Sequence, residues 1–265
     1  MTSRLHFKAS AAGTGLLVSP QNSASDGLEL EIVKLPPGGD EANVADGKET
    51  LLVILGGRID VDAGGESWHG LGERANVFAG RATSVYLPPG TEYRMSSAEG
   101  AEAAVFRAPA TAGGVPYVIR PDAVKIATRG SESFEREVHT ILDAGRPAAA
   151  LVVGETFNMA GAWSSYPPHK HDVHDPPRQA KLQEVYHFRI DPPQGFGIQR
   201  MYSPERSLDE ALVVENGDTV VIPYGYHPVV AAPGYRLYYL WALAGEGREL
   251  HIVEDPAHSW VARKP

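Results

Sequence analysis

An all-β chain made of two similar halves is the fold this sequence predicts, on three observations. Its 28 glycines and 21 prolines are spread along all 265 residues instead of gathering in one linker. Between them lie short runs rich in Val, Ile, Leu and Tyr, a spacing that favours a β-sandwich or barrel over a helical fold. A segment of the first half also repeats weakly in the second, as duplicated units do. Ser84-Val-Tyr-Leu-Pro-Pro-Gly-Thr-Glu92 lines up with Thr219-Val-Val-Ile-Pro-Tyr-Gly-Tyr-His227.

Taken in order, residues 1–27 read as an irregular arm ending in a polar run. Residues 28–35 alternate apolar and polar, as a half-buried strand does, until Pro36-Pro-Gly-Gly-Asp stops them. Residues 51–55, 58–62, 84–87 and 103–107 are further strands. About seven such strands would make residues 28–110 one barrel. Residues 111–135 form a connector, with a short helix expected near 121–126. The second barrel, 136–265, opens on 135–142 and continues through 149–153, 157–160, 184–190, 198–202, 211–214, 219–222, 229–231, 237–242 and 250–253. Proline and glycine punctuate each gap.

Composition narrows the function classes. The formal charge is −9 with no basic block, which argues against nucleic acid or anionic membranes as partners. An anionic substrate would need a local Arg, Lys or metal against that field. Cysteine is absent, so disulfides and thiol catalysis are excluded, and a reducing compartment fits. The first residues lack the apolar run of a signal peptide, and no apolar stretch approaches a membrane span. A cytoplasmic protein is expected.

The chemistry gathers between Tyr166 and Pro228. In Tyr166-Pro-Pro-His-Lys-His171, His169 and His171 stand two residues apart, so on an extended strand both imidazoles face the same side. Glu184 follows in another strand-like run, and His227 ends a Gly-x5-Pro-x-Gly-x-His phrase beginning at Gly217. Three imidazoles and a carboxylate suit Zn, Mn, Fe, Ni or Cu. Glycine relieves and proline sets φ just before His227, which fixes where that ring emerges. The twelve residues from Asp172 to Gln183 are polar and proline-rich and read as a loop over the site, and His174 within them is a substitute ligand. His187 has the opposite strand parity from Glu184, and Lys170 points away from its two histidine neighbours. Arg200 is the candidate for a substrate carboxylate, since guanidinium binds carboxylates in a bidentate fork. Tyr186, Tyr226, Tyr238 and Tyr239 are candidates for substrate recognition or proton transfer, Tyr239 foremost.

The His-x-His, Glu184 and the Gly-x5-Pro-x-Gly-x-His resemble the two motifs of the cupin barrel. The phrases at 164–172, 184–188, 195–202, 223–229 and 233–240 resemble the 5-deoxy-glucuronate isomerase family, related to 5-keto-4-deoxyuronate isomerases. The resemblance is dense over about 160–260 and looser across the first half. It implies a bicupin, two tandem jelly-roll barrels, in which only the second keeps a metal site. The first has no His-x-His, and Glu92 stands where the second half has His227. Glu49, seven residues before Gly56, matches the end of the first cupin motif there.

The implied reaction is the aldose–ketose isomerisation of 5-deoxy-D-glucuronate to 2-deoxy-5-keto-D-gluconate in myo-inositol catabolism. A divalent metal, Zn or Mn foremost with Fe or Ni as alternatives, would be held by His169, His171, Glu184 and His227. It would stabilise the enediolate charge while a base moves the proton. A metal-dependent dioxygenase and a non-catalytic sugar-binding bicupin are the alternatives. Bicupins commonly associate through sheet faces, so a homo-oligomer, dimer or higher, is an open expectation.

Overall fold

The computed structural model describes residues 4–9, 15–111 and 114–263. Parts of the arm (1–3 and 10–14), two connector residues (112–113) and 264–265 lie outside the described residues. Regular structure is almost entirely strand, with short 3-10 turns. The helix expected near 121–126 is such a turn, Pro121–Ala123, followed directly by the strand Lys125–Arg129.

Each half pairs one large sheet with one small sheet. In the first, a six-stranded sheet contains Gly15–Val18, Glu29–Leu35, Lys48–Gly57, Ser84–Leu87, Ala101–Pro109 and Tyr117–Ile119. It faces a four-stranded sheet of Gly39–Val44, Ile59–Ala63, Glu66–Leu71 and Glu92–Ser97. In the second, an eight-stranded sheet is built around Gln179–Asp191, Arg236–Glu246 and Val152–Asn158. It faces a four-stranded sheet of Trp163–Ser164, Val229–Ala231, Phe196–Tyr202 and Asp209–Glu215. Sheet neighbours are mostly not sequence neighbours, which is the crossing connectivity of a jelly roll.

Strand periodicity explains why the halves cannot be separated. Along Lys48–Gly57, Leu52 and Ile54 face the first barrel's interior, while Leu51, Val53 and Leu55 face the other way. Along Arg236–Glu246, Tyr239, Trp241 and Leu243 face the second barrel's interior, while Tyr238, Leu240 and Ala242 face out of it. The two outward faces meet in a third core shared by both halves. Both large sheets are therefore apolar on both faces. This is why 51–55 reads as an uninterrupted apolar run instead of an alternating one.

The chain also crosses between the halves. The arm is less irregular than expected: His6–Phe7 pairs with Thr219–Ile222 of the second barrel, whereas Gly15–Val18 pairs with Glu29–Leu35 of the first. The connector is likewise shared, since Tyr117–Ile119 joins the first barrel's sheet and Lys125–Arg129 the second's. The strands expected at 149–153 and 157–160 are one strand, Val152–Asn158, and 250–253 contributes only Val253–Glu254. The strands Gly39–Val44 and Glu66–Leu71, which have few buried positions, were not foreseen, nor was the half-buried, alternating Glu92–Ser97.

Two buried carboxylates pin the shared core. Glu49 accepts from the Tyr86 hydroxyl at 2.7 Å and from the backbone N–H groups of Ala149 and Ala150, each at 2.6 Å. Its role is thus to hold the entry of the second half. Strand register corrects its place in the repeat, because Thr50 pairs with Leu87 as Glu184 pairs with Ile222. Thr50, and not Glu49, therefore occupies the position of Glu184.

The other carboxylate, Glu155, takes the Arg74 guanidinium at 2.6 Å and the Tyr238 hydroxyl at 2.8 Å, and both charged side chains are fully enclosed. Removing one partner leaves a buried charge uncompensated, which typically costs about 3–5 kcal/mol. Arg74→Met should lower the urea unfolding free energy by about that amount. Adding Glu155→Gln to it should recover part of the loss, because the stranded charge is then gone.

Candidate metal centre

Four elements deliver four side chains to one end of the second barrel. His169 lies on the two-residue strand His169–Lys170, held by pairing with Val253–Glu254. His171 follows it. Glu184 lies on the inward face of Gln179–Asp191, in the same parity as Tyr186 and Phe188. His227 comes from the turn after Thr219–Ile222. There Gly225 has φ +88°, and a Cβ would sit 2.7 Å from the Tyr202 carbonyl oxygen, so only glycine lets the chain turn this tightly. Gln199 braces that turn by donating to the carbonyls of His227 at 2.7 Å and Pro228 at 3.2 Å.

The rings converge. The centroids of His169 and His171 both lie 5.1 Å from that of His227. Glu184 Oε2 lies 3.3 Å from Nε2 of both His171 and His227. Ligand atoms of His171, Glu184 and His227 all fall within 4.8 Å of one another, with His169 beside them at the cavity edge.

Hydrogen bonding decides which nitrogen is offered. His171 Nδ1–H donates to the Leu182 carbonyl at 2.8 Å, His227 Nδ1–H to the Gly225 carbonyl at 2.9 Å, and His169 Nδ1–H to the Pro167 carbonyl at 3.3 Å. A carbonyl can only accept, so each proton sits on Nδ1, and Nε2 of the neutral ring keeps its lone pair for the centre. This backbone-oriented tautomer is the usual support of metal-binding imidazoles. Glu184 Oε2 and His227 Nε2 are buried without a hydrogen-bond partner. Acceptor atoms facing one another in a buried place call for a cation between them. The converging atoms of His171, His227 and Glu184 fit a first-row divalent ion with two nitrogen ligands and one oxygen, and His169 stands beside them.

Electrostatics agree with that donor set. Burial, then the neighbouring imidazoles, pushes the His169 pKa down to about 3, so the ring is neutral at pH 7. Burial also opposes charge on His171, but the hydrogen bond that its protonated ring would donate to Glu184, and that carboxylate's charge, outweigh it and raise its pKa. Burial would raise the Glu184 pKa, yet the two imidazoles hold it down at about 2.

Above this group is a cavity of about 130 Å³, lined by Arg136, Ser165, His169, Glu184, Tyr186, Tyr239, Trp241 and Leu250 among others. The Tyr186 and Tyr239 rings lie 4.2 Å apart. Their hydroxyls meet those of Ser165 at 2.8 Å and Ser164 at 2.9 Å respectively. Burial, and then the Glu184 charge, raises the Tyr186 pKa well above its ordinary value.

Other candidates fall elsewhere. Arg200 pairs with Asp209 and donates to the Glu210 carbonyl at 3.0 Å, on the outer side of its strand and away from the cavity. The parity of Phe196–Tyr202 puts Gln199 inside and Arg200 out. Tyr238 faces the shared core, and Tyr226 packs on Tyr202 with centroids 5.1 Å apart. His187 faces away from Glu184, as its parity predicts, and bonds Thr219 Oγ1 at 2.8 Å. The segment expected to be a loop is a β-hairpin, Asp172–Asp175 pairing with Gln179–Asp191, and its His174 points outward to Glu246 at 3.0 Å. Asp172 ties that hairpin to the His227 turn, accepting from Lys170 and from the Gly225 N–H at 2.9 Å. Arg136 was missed, because Glu135-Arg136-Glu137 looks like a solvated charge run.

A family model described as KduI/IolB matches residues 5–261. The chain belongs to the KduI/IolB family. It is 39% identical over 250 residues to the 5-deoxy-glucuronate isomerase of Geobacillus thermodenitrificans, covering 94% of this chain and 91% of that one. The crystal structure of an IolB-like protein from Salmonella typhimurium superposes with a TM-score of 0.94 at 36% identity, over 97% of this chain and 98% of that one. The oxalate decarboxylase of Lactobacillus farciminis has a TM-score of 0.65 at 15% identity, covering 100% of this chain and 92% of that one, a likeness of fold alone. Both barrels are thus common to the family, and the fold is bicupin.

His171→Ala or His227→Ala should abolish tight metal binding, measured by elemental analysis after gel filtration, whereas His174→Ala should leave it intact. Protons compete for the same Nε2 atoms. Because Glu184 raises the His171 pKa, a chelator should strip the metal more easily as pH falls from 8 towards 5. In the stripped protein the protonated His171–Glu184 pair has the opposite sign. Its stabilisation is fully present below about pH 6.5, the ordinary histidine value, and fades as pH rises through the raised pKa. The stripped protein's His171–Glu184 contribution should therefore fall only above about pH 6.5. Below it the neutral buried His169, with its pKa lowered to about 3, makes stability drop as pH drops, so the stripped protein's melting temperature should peak near neutral pH.

Proposed function

We propose that this chain is a metal-assisted aldose–ketose isomerase converting 5-deoxy-D-glucuronate to 2-deoxy-5-keto-D-gluconate. One observation carries the reading. The convergent His169, His171, His227 and Glu184 lie under a cavity that also presents tyrosine hydroxyls and a guanidinium, in a chain alike over most of its length to relatives named for that activity.

The reaction neither gains nor loses atoms. The C–H bond beside the aldehyde breaks and its proton goes to a base. A C–H bond then forms at the former aldehyde carbon, and the hydroxyl proton passes to the former carbonyl oxygen. A divalent ion held by the four residues supplies positive charge for the oxygen that becomes negative when the C–H proton leaves. Zn or Mn is the leading choice, and Fe or Ni also suits the donors.

The remaining work falls to the cavity lining. It contains no carboxylate or imidazole beyond the cluster itself. Tyr186 stays protonated and donates its hydrogen bond to a substrate oxygen. Tyr239, joined to Ser164, is the group that moves the proton between adjacent carbons. Trp241 and Leu250 restrict water around the exposed reacting carbons.

An NMR time course in D2O tests the whole reading. Loaded protein should consume the aldehyde and hemiacetal signals of 5-deoxy-glucuronate and build a ketone product. Prior chelation should stop it, and deuterium in the product would mark exchange at the base. No conversion by folded, metal-loaded protein discards the substrate. Tyr239→Phe should keep its metal and lose about 100- to 10,000-fold in kcat, the range of general acid–base catalysis.

A further inference from the structure

Arg136 is unusual among the enclosed arginines of this molecule. Arg74 and Arg107 are buried and each has a carboxylate, Glu155 at 2.6 Å and Glu31 at 2.7 Å. Arg136 is half-buried and has no carboxylate partner among the described residues. Its Nη1 donates to two backbone carbonyls, of Phe134 at 3.2 Å and Tyr166 at 3.3 Å. Its Nε and Nη2 meet no acceptor among the described residues. Those carbonyl contacts tether one corner of the guanidinium and leave the other edge free.

The free edge belongs to the catalytic cavity. Arg136 begins the strand Arg136–Leu142, in the parity of Val138, which packs on the second barrel's core. Glu137 takes the opposite face, where it meets His139 at 2.6 Å. Arg136 lines the same cavity as His169, Glu184, Tyr186 and Tyr239. Burial disfavours its charge, which a bound anion would offset. The cavity's one carboxylate, Glu184, is already engaged by two imidazoles.

We propose that Arg136 binds the carboxylate of the substrate and sets the enzyme's preference for sugar acids over neutral sugars. This rests on the isomerase reading and replaces Arg200, whose guanidinium is committed to Asp209. A six-carbon acid then lies across the cavity with its aldehyde end at the histidine–glutamate cluster and its carboxylate at Arg136. The two ends of one substrate are recognised by different chemistry, so it enters in one direction only. In a protein of net charge −9, this arginine is the local cation that makes an anionic substrate acceptable.

The test compares 5-deoxy-D-glucuronate with its C6 carboxamide, a neutral analogue of nearly equal shape, using metal-loaded protein. Wild type should prefer the acid by about 100-fold in kcat/KM, the scale of a charge-assisted bidentate pair. Arg136→Gln should lose about that factor on the acid, mostly through KM, change little on the amide, and so abolish the preference. Arg136→Lys should restore part of it.

Calorimetric binding of D-glucuronate against D-glucuronamide to the same proteins gives a readout independent of turnover, and the acid should win only where residue 136 is cationic. A folded Arg136→Gln protein with normal metal content that still favours the acid overturns the proposal. So does a wild type that binds acid and amide equally, which needs no variant to fold. If wild type turns over neither compound, the isomerase reading falls, and the calorimetric pair alone decides Arg136.

Discussion

The central strands of both large sheets in this molecule have two buried faces, and the rest of the architecture follows from that constraint. A barrel normally turns one face of its sheet inward and leaves the other to solvent. Here the outward faces of both large sheets carry Leu51, Val53, Leu55, Tyr238, Leu240 and Ala242, which water would not tolerate together. They are satisfied only by each other. Neither half is therefore an independent unit, and the crossing of the arm and connector between sheets reinforces the same joint.

That constraint explains where the polar residues go. A strand buried on both sides can carry a charged group only where partners are built for it. On the joint face, Glu49 is surrounded by donors, and Glu155 spends one oxygen on Arg74 and Tyr238 while its other oxygen, buried without a hydrogen-bond partner, is balanced by the guanidinium charge. On the interior face of the second barrel, Glu184 is held by His171 and His227 but keeps a buried oxygen with no hydrogen-bond partner. A buried carboxylate with its own enclosed counter-cation, as Glu155 has in Arg74, holds structure. One that has only imidazoles beside it and lines a cavity, as Glu184 does, is available for chemistry. The first barrel has gone the other way. Thr50 stands at the position of Glu184, and the interior-facing Arg107, Glu31 and Tyr93 form a closed polar set.

Much of the site was legible because it is local in sequence. The i, i+2 spacing of His169 and His171, the parity of Glu184 against His187, and the glycine–proline turn before His227 are backbone properties that survive folding. The same logic failed for Arg200. Its strand was recognised, but parity alone does not say which face is inward, and Gln199 proved to be the inward residue. The hairpin at 172–183 read as a loop because its prolines mask strand pairing that only the neighbouring strand supplies.

By itself the sequence determined the all-β class and the duplication, and it singled out His171, Glu184 and His227, whose ligand atoms the fold brings together, with His169 beside them, since each follows from short-range periodicity and turn chemistry. Tertiary structure alone decided that the two halves share a core. It also decided which of the tyrosines face the cavity, and that Arg136, some thirty residues before the histidine pair, completes it. Those facts depend on contacts between residues far apart in the chain. An arginine flanked by two glutamates looks solvated until the fold shows that its carboxylate neighbours point elsewhere.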